Sequence, residues 1–151
     1  MKIVLESFET FVVDAEPRLR RAFAGALGIE RTADAVAEAL AYGWQEWDRV
    51  REMENPVGYL FRVGQSRTRP RKRPNLPPVE HASGTSTFEP GLPAAVMSLP
   101  ETQRTAVWLA HGCGWSHADI GEVLDVSTST VSTHVNRGLE RLRAELGVDD
   151  E

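Results

Sequence analysis

Apolar residues recur every three or four positions along most of this chain, with interruptions that are rich in proline and small polar residues. Leu19, Phe23 and Leu27 lie four residues apart and are followed by Gly28. Residues at this spacing share one face of a helix, and a glycine commonly ends such a helix. The pattern therefore predicts an amphipathic helix that ends at Gly28.

Two further helices are predicted before residue 70. The first begins after Thr32 and has an apolar stripe at helical spacing, made of Val36, Leu40, Trp44 and Trp47. We expect Trp44 to lie in the core, whereas Trp47, near the helix end, fits the core or the surface equally well. The pair Asn55-Pro56 indicates the start of the next helix, because proline is well tolerated in the first helical turn.

The stretch between about residues 70 and 90 indicates a boundary. In and beside it are many residues that disfavour regular structure: Pro70, Pro74, Pro77, Pro78, Ser83, Gly84, Thr85, Ser86, Thr87, Pro90 and Pro93. We predict a helical domain at 1–69, a Pro-rich linker at 70–90 and a second helical domain at 91–147.

The second unit is also predicted to be helical. Pro100 begins a helix that runs to about His111, Ser116 can cap the next helix, and Ser127 can cap a longer one. One face of this last helix carries Val131, Val135, Leu139, Leu142 and Leu146. Almost no stretch alternates with a period of two, so the predicted fold class is all-α, with two small helical domains.

Composition and charge narrow the class of protein. A hydrophobic content of 41% and a charged content of 26% are normal for a soluble globular protein, and no apolar run is long enough to cross a bilayer. The net charge is −5, yet residues 62–73 carry five arginines and one lysine and no acid. This asymmetry indicates separate surfaces for separate partners. The single cysteine fits a reducing interior, so we expect a cytoplasmic location and no membrane partner.

No cofactor, metal or enzymatic activity is expected. His111, Cys113 and His117 supply only three nearby ligands, unlike a closed structural zinc site. Asp34 and Glu38 lie four residues apart on one helix face, but no partner base accompanies them. Acids in this position usually belong to a solvated face.

Residues 116–143 have the pattern of a helix-turn-helix: a short helix, a tight turn and a longer helix that starts with small polar residues. The first helix of this motif braces the second, whose amino-terminal turns can enter the major groove of DNA. Asparagine can pair bidentately with adenine, and arginine with guanine. The predicted DNA-binding residues are Thr128, Ser129, Thr130, Ser132, Thr133, Asn136 and Arg137. The alternative is an ordinary helical hairpin with a polar solvent face.

Several segments together resemble the sigma-70 family of RNA polymerase sigma factors. The resemblance to region 4 lies in 99–104 (LPETQR), 116–121 (SHADIG) and 131–143 (VSTHVNRGLERLR). The resemblance to region 2 lies in 17–21 (PRLRR), 34–38 (DAVAE) and 59–63 (YLFRV). It is strongest to the compact extracytoplasmic-function (ECF) group, which retains only regions 2 and 4.

The resemblance implies a sigma factor that binds core RNA polymerase and directs promoter recognition and transcription initiation. Region 4 would hold the minus-thirty-five element as duplex DNA and contact the flap of the polymerase β subunit. Region 2 would dock on the β′ clamp through Asp34 and Glu38. It would take up unstacked bases of the minus-ten element near Arg62, Arg67 and Arg69. An anti-sigma factor is a further partner that the resemblance implies.

Two alternatives stay open, and departures from the family pattern motivate the first of them. Gln65-Ser66 replaces an expected Arg-Asn pair, and Pro70 ends a helix that normally continues. One alternative is a sigma-like adaptor that binds polymerase without selecting promoters. The other is a stand-alone helix-turn-helix regulator that binds a palindromic site. At the turn, Asp125 replaces the usual glycine, and aspartate tolerates a left-handed backbone better than most residues.

Overall fold

The computed structural model describes residues 7–68 and 92–147, which contain helices and no strand. The helices are α1 (Phe8–Leu27), α2 (Ile29–Gln45), α3 (Trp47–Val50), α4 (Pro56–Arg67), α5 (Leu92–Ser98), α6 (Glu101–Val107), α7 (His117–Leu124) and α8 (Thr128–Leu146), with a π-helical turn (Trp108–Gly112) after α6. The predicted all-α class is confirmed. None of these helices is both long and apolar enough to span a bilayer. The predicted linker lies outside the described residues.

A glycine forms the corner between α1 and α2. The Oγ atom of Ser7 caps α1 by accepting a hydrogen bond from the Thr10 amide at 3.2 Å. Gly28 ends α1 as predicted, with a φ of +90° that favours glycine. However, α2 begins at Ile29, so the predicted start after Thr32 is wrong. Thr32 is buried within α2, where its hydroxyl donates to the carbonyl oxygen of Gly28 at 2.8 Å.

A second glycine lets α4 pack closely against α1 and α2. Phe61 of α4 stacks on Phe23 of α1, with ring centroids 4.8 Å apart. A Cβ atom at Gly64 would lie 2.4 Å from the Phe23 ring and 2.6 Å from the backbone carbonyl of Ala35. No larger residue fits at this point, so Gly64 sets the spacing of the three helices.

The expected burial of Trp44 is wrong. Trp44 is 61% exposed, and its ring contacts Phe8 with centroids 5.6 Å apart. The inward position of this turn is taken by Gly43, where a Cβ atom would lie 3.1 Å from the Phe8 ring. Trp47 is half-buried and packs against Phe8 and Phe11 at centroid distances of 5.5 and 5.1 Å. Gly43 therefore takes the position that packs tightly on the core side of α2, and Trp44 beside it lies on the exposed side.

The second unit contains one helix more than predicted. Pro93 was expected to disfavour regular structure, but α5 starts at Leu92 and Pro93 lies in its first turn. A proline there removes no helical hydrogen bond. The next helix, α6, follows Pro100 as predicted. The buried side of α8 consists of Val131, Val135, Gly138 and Leu142, and the predicted core residues Leu139 and Leu146 are half-buried.

The two helical units pack directly against each other. Trp108 lies across α1 at Gly25, where a Cβ atom would fall 2.0 Å from the indole ring. The Trp108 Nε1 donates to the carbonyl oxygen of Arg21 at 2.9 Å. Trp115, just before α7, meets Phe61 edge to face with ring centroids 5.6 Å apart. One cluster of buried apolar residues therefore runs from α1 to α8, and the units share a core.

Candidate nucleic-acid interface

A tight turn joins α7 and α8. The Ser116 Oγ caps α7 by accepting from the Asp119 amide at 3.1 Å, as predicted. Asp125 ends α7 in the left-handed conformation, with φ 58° and ψ 47°, which confirms the turn inferred from this aspartate. At Gly121 a Cβ atom would lie 2.7 Å from the carbonyl oxygen of Val126. The chain thus folds back so closely on α7 that it requires glycine there.

Hydroxyl groups cap the first turn of α8. The Ser127 Oγ accepts from the Thr130 amide at 3.2 Å and lies 2.9 Å from the Thr130 hydroxyl. It also lies 3.1 Å from the hydroxyl of Ser129. The first turn of α8 holds no acidic residue, so no carboxylate within it neutralises the positive end of the helix dipole. Such a helix end favours a phosphate group.

The predicted DNA-binding residues of α8 fall into two groups. The exposed ones are Thr128, Ser129, Thr133, Asn136 and Arg137, and the half-buried ones are Thr130 and Ser132. The Ser132 Oγ lies 3.0 Å from Nδ1 of His117 on α7. Ser132 therefore braces the helix pair. Sequence reasoning missed this contact because 15 positions separate the two residues.

The polar and apolar residues of α8 lie on opposite sides. Val135 is buried on the inner side. A Cβ atom at Gly138 would lie 2.5 Å from Cγ2 of Val107 on α6. Because α8 packs this closely on α6, the opposite face, with Asn136 and Arg137, points away from the protein body.

In the first unit, two residues predicted for different partners meet each other. Nη1 of Arg67 on α4 lies 3.5 Å from Oε2 of Glu38 on α2, and the two side chains are 46% and 47% exposed. Asp34, one turn before Glu38, is exposed, and so is Arg62. The predicted site residue Arg69 lies outside the described residues. The predicted polymerase-binding and DNA-binding surfaces therefore adjoin at the seam between α2 and α4.

A cluster of tyrosines and arginines adjoins this seam. The hydroxyls of Tyr42 and Tyr59 lie 3.3 Å apart, and Arg49 of α3 donates to both. The guanidinium carbon of Arg67 lies 5.2 Å from the centroid of the Tyr42 ring, within cation–π range. The hydrogen bond to Tyr59, together with burial, raises the pKa of Tyr42. Sequence analysis did not identify this cluster because helix packing, not periodicity, brings its members together.

A cleft of about 480 Å³ lies where the two units meet. The first unit lines it with Met53, Glu54, Asn55, Gly58, Tyr59 and Arg62, and α7 and its final turn line it with Glu122, Val123 and Asp125. Arg62, a predicted DNA-binding residue, thus shares a cleft with two carboxylates of the other unit.

The histidine and cysteine residues near the π-helical turn are not grouped in the described structure as the ligands of one metal ion would be. Residues 7–68 and 92–147 contain no group of three or more histidine, cysteine or acidic side chains that could hold a metal ion. Burial raises the pKa of the Cys113 thiol to about 11. The thiolate that binds metals and reacts with electrophiles is therefore scarce near neutral pH.

Three comparisons with known proteins agree with this architecture. Residues 92–142 match the family model described as sigma-70, region 4. The chain is 30% identical over 159 residues to the ECF RNA polymerase sigma factor EcfG of Rhodopseudomonas palustris (strain TIE-1), covering 95% of this chain and 87% of that protein. A co-crystal structure of the sigma factor RpoE with the anti-sigma factor NepR, from Bartonella quintana, shows a similar fold. Its TM-score is 0.74 at 19% identity, and the match covers 95% of this chain and 98% of that one.

An all-helical chain with a region 4 helix-turn-helix is a DNA-binding protein of the transcription-initiation class. This chain belongs to the family of ECF RNA polymerase sigma factors. Sigma factors are not enzymes, so the chain is assigned no chemical reaction of its own.

Proposed function

We propose that this chain binds core RNA polymerase and directs it to promoters, with α8 reading the minus-thirty-five element as duplex DNA. One observation carries this proposal: α8 exposes Asn136 and Arg137 on one face while its opposite face is buried. A helix of this kind, braced by a shorter one, fits the major groove. Membership of the sigma factor family supports the polymerase part of the proposal.

The residues of α8 would divide between phosphates and bases. Thr128 and Ser129 are exposed in the first turn, beside N–H groups that favour a phosphate. Asn136 and Arg137 lie about two turns further along, where an amide and a guanidinium can bind base edges bidentately. Ser132 would contribute indirectly, since its contact with His117 holds α8 against α7.

The remaining helices would supply the contacts with polymerase and with the opened strand. Asp34 and Glu38 on α2 would meet the β′ clamp, and α5 and α6 would meet the β flap. Arg62, Arg67 and Arg69 would contact the unstacked strand of the minus-ten element. The Glu38–Arg67 ion pair is half exposed and therefore weak, so each partner can exchange it for a contact with polymerase or with a phosphate.

An anti-sigma factor is a second proposed partner. RpoE of Bartonella quintana, whose fold this chain shares, was solved in complex with the anti-sigma factor NepR. We infer that a regulator of this kind holds the present chain away from polymerase. Both proteins would act in the cytoplasm, where polymerase and chromosome meet.

Run-off transcription tests the proposal. The full chain is mixed with core RNA polymerase and a library of genomic promoters, and transcripts are mapped at their 5′ ends. We expect transcripts that start downstream of a shared upstream sequence. The matched control is the double variant Asn136→Ala/Arg137→Ala, which should bind core as the wild type does and lose these transcripts.

The same experiment separates the alternatives. Binding to core without any transcript would favour the adaptor that does not select promoters. Absence of binding to core, together with tight binding to a palindromic duplex, would establish the stand-alone regulator instead. In either case the proposed function is wrong. The first outcome contradicts promoter selection, and the second contradicts binding to polymerase.

A further inference from the structure

We propose that His117 binds a phosphate of duplex DNA and that DNA binding by the helix-turn-helix takes up one proton at the His117 ring. This inference rests on the proposed function, because it takes α8 to bind duplex DNA. It adds a contact outside α8 and a dependence of DNA affinity on pH. One ring nitrogen of His117 is bound to α8, and the other is available to the DNA backbone.

His117 lies beside the face that is proposed to bind DNA. It is the first residue of α7, directly after the cap Ser116, and it is half-buried. Its Nδ1 atom lies 3.0 Å from the Oγ atom of Ser132 on α8. The next residue of α8, Thr133, is exposed. In a helix-turn-helix the first helix crosses the DNA backbone while the second enters the groove. The position of His117 therefore suits a contact with the backbone.

The hydrogen bonds of Ser132 decide which ring nitrogen of His117 carries the proton. The Ser132 hydroxyl donates to the carbonyl oxygen of Thr128 at 3.3 Å. Serine hydroxyls within helices commonly donate to the carbonyl group four positions earlier. Because a hydroxyl has only one proton, the contact between Ser132 and His117 requires Nδ1–H as the donor. In a neutral histidine the other nitrogen, Nε2, is then an acceptor.

This arrangement couples phosphate binding to protonation. A neutral His117 ring cannot bind a phosphate through Nε2, because both atoms would be acceptors. Protonation turns Nε2 into a donor and gives the ring a positive charge, so the ring keeps its bond to Ser132 and offers a charge-assisted bond to phosphate. Histidine is the side chain whose charge ordinarily changes between about pH 5 and 8. Because the complex holds one proton more than its free components, DNA affinity rises as the pH falls through this range.

The surroundings of His117 leave Nε2 available. Within residues 7–68 and 92–147, the ring forms no ion pair and Nε2 is not among the buried atoms without a partner. A phosphate therefore does not have to displace a carboxylate from the ring. The charged or titratable groups of α7 and of the elements packed against it include Asp119 and Glu122 of α7, His134 and Arg137 of α8, Arg62 of α4 and His111 of the π-helical turn.

The pH dependence of duplex binding tests this proposal. The full chain is titrated into a rhodamine-labelled DNA duplex of random sequence, since backbone contacts do not depend on the bases. Fluorescence anisotropy is recorded at low salt, at about pH 6 and about pH 8. His117→Asn keeps a donor to Ser132, because its amide nitrogen replaces Nδ1, and removes Nε2. At the lower pH the wild type should bind roughly three- to fivefold more tightly than this variant, as expected for one opposite charge at contact distance in water. At the higher pH the two should bind equally.

A matched control and a measurement on the wild type complete the test. His111→Asn removes an exposed histidine of the π-helical turn and should respond to pH as the wild type does. Two-bond NMR correlations between the ring protons and nitrogens of the wild type report the tautomer of His117 without any substitution. We expect the neutral ring to carry its proton on Nδ1, and added duplex at about pH 7 to shift the His117 signals to those of the protonated ring.

The possible failures of this inference and of the proposed function are distinguishable. An equal pH response of the wild type and His117→Asn would overturn proton uptake at His117 and leave duplex binding by α8 intact. A neutral ring with its proton on Nε2 would overturn the coupling as well, since it could donate to phosphate without a charge. A loss of the pH response in His111→Asn would assign the proton to the wrong histidine. Absence of duplex binding by all three proteins at both pH values would contradict DNA binding by α8 and this inference with it.

Discussion

Arg104 shows at the scale of one residue how the two units are joined. It is 8% exposed, and its guanidinium donates to the carbonyl oxygens of Ala26 at 2.7 Å, Leu99 at 3.1 Å and Met97 at 3.3 Å. Burial lowers the pKa of Arg104. The three carbonyl oxygens, at and just beyond the carboxyl ends of α1 and α5, offset the cost of burying the charge, since helix dipoles are negative there. One side chain therefore donates hydrogen bonds to carbonyl groups at helix ends of both units.

At the same scale, Arg137 is the sharpest test of base recognition. Arg137→Ala should weaken discrimination at one or two base pairs by roughly 1–3 kcal/mol, because a bidentate contact to guanine would be lost. Run-off transcription from a set of promoters with single substitutions in the upstream element measures this. Arg141→Ala, on an exposed residue one turn further along α8, is the control and should leave the preference unchanged. An unaltered preference in Arg137→Ala would remove that residue from the interface.

At the scale of elements, α7 and α8 depend on how each begins and ends. Ser116 and Ser127 cap them through their hydroxyls, and Asp125 turns the chain between them in the left-handed region. This conformation costs an L-residue with a Cβ atom roughly 1–2 kcal/mol. The presentation of the DNA-binding face thus relies on a turn held in a strained backbone conformation.

The turn yields a prediction with an internal control. Asp125→Gly should be more stable than Asp125→Ala by about 1 kcal/mol, because only glycine adopts the left-handed conformation freely. At Glu122, inside α7, the order should reverse. Glu122→Ala should be more stable than Glu122→Gly by about 1 kcal/mol, because alanine has the higher helix propensity. Urea denaturation of the four variants gives both differences. The same order at both positions would contradict the left-handed turn.

At the scale of the whole molecule, the shared core fixes how the two units are placed relative to each other. Trp108 packs the second unit against α1 at Gly25. Trp115 packs the segment before α7 against Phe61 of α4. This packing leaves the outer face of α8 open and places the carboxylates of α7 beside Arg62. The arrangement of the units thus brings side chains from distant parts of the chain into one cleft.

A double-mutant cycle tests this packing in solution. Gly25→Ala should destabilise the wild type by roughly 1–3 kcal/mol, because the new methyl group overlaps the Trp108 ring. In the Trp108→Ala background the same change should stabilise by about 1 kcal/mol through helix propensity. Urea denaturation of the four proteins gives the coupling energy. A coupling energy of zero would show that the two units do not meet at this point in solution.

Local features of the fold could be predicted because they depend on neighbours a few positions apart. The predicted caps at Ser116 and Ser127 accept hydrogen bonds from amides three residues ahead. The left-handed turn at Asp125 is of the same kind. The polar face of α8 follows from helical periodicity, and its sequence also carried the resemblance to the sigma-70 family. The helix start at Thr32 and the burial of Trp44 were mispredicted, because a periodic stripe does not show which of its members the core can accommodate.

Short segments of the sequence were enough to predict most of the helices, the caps at Ser116 and Ser127, and the family. How the units meet depends instead on contacts between distant positions: Arg104 donates to Ala26 across 78 positions, and Trp108 donates to Arg21 across 87. The Tyr42–Tyr59–Arg49 cluster, and the cleft that Arg62 shares with Glu122 and Asp125, arise in the same way. Such contacts depend on the shapes of two packed faces, and one-dimensional periodicity carries no information about which faces will be complementary.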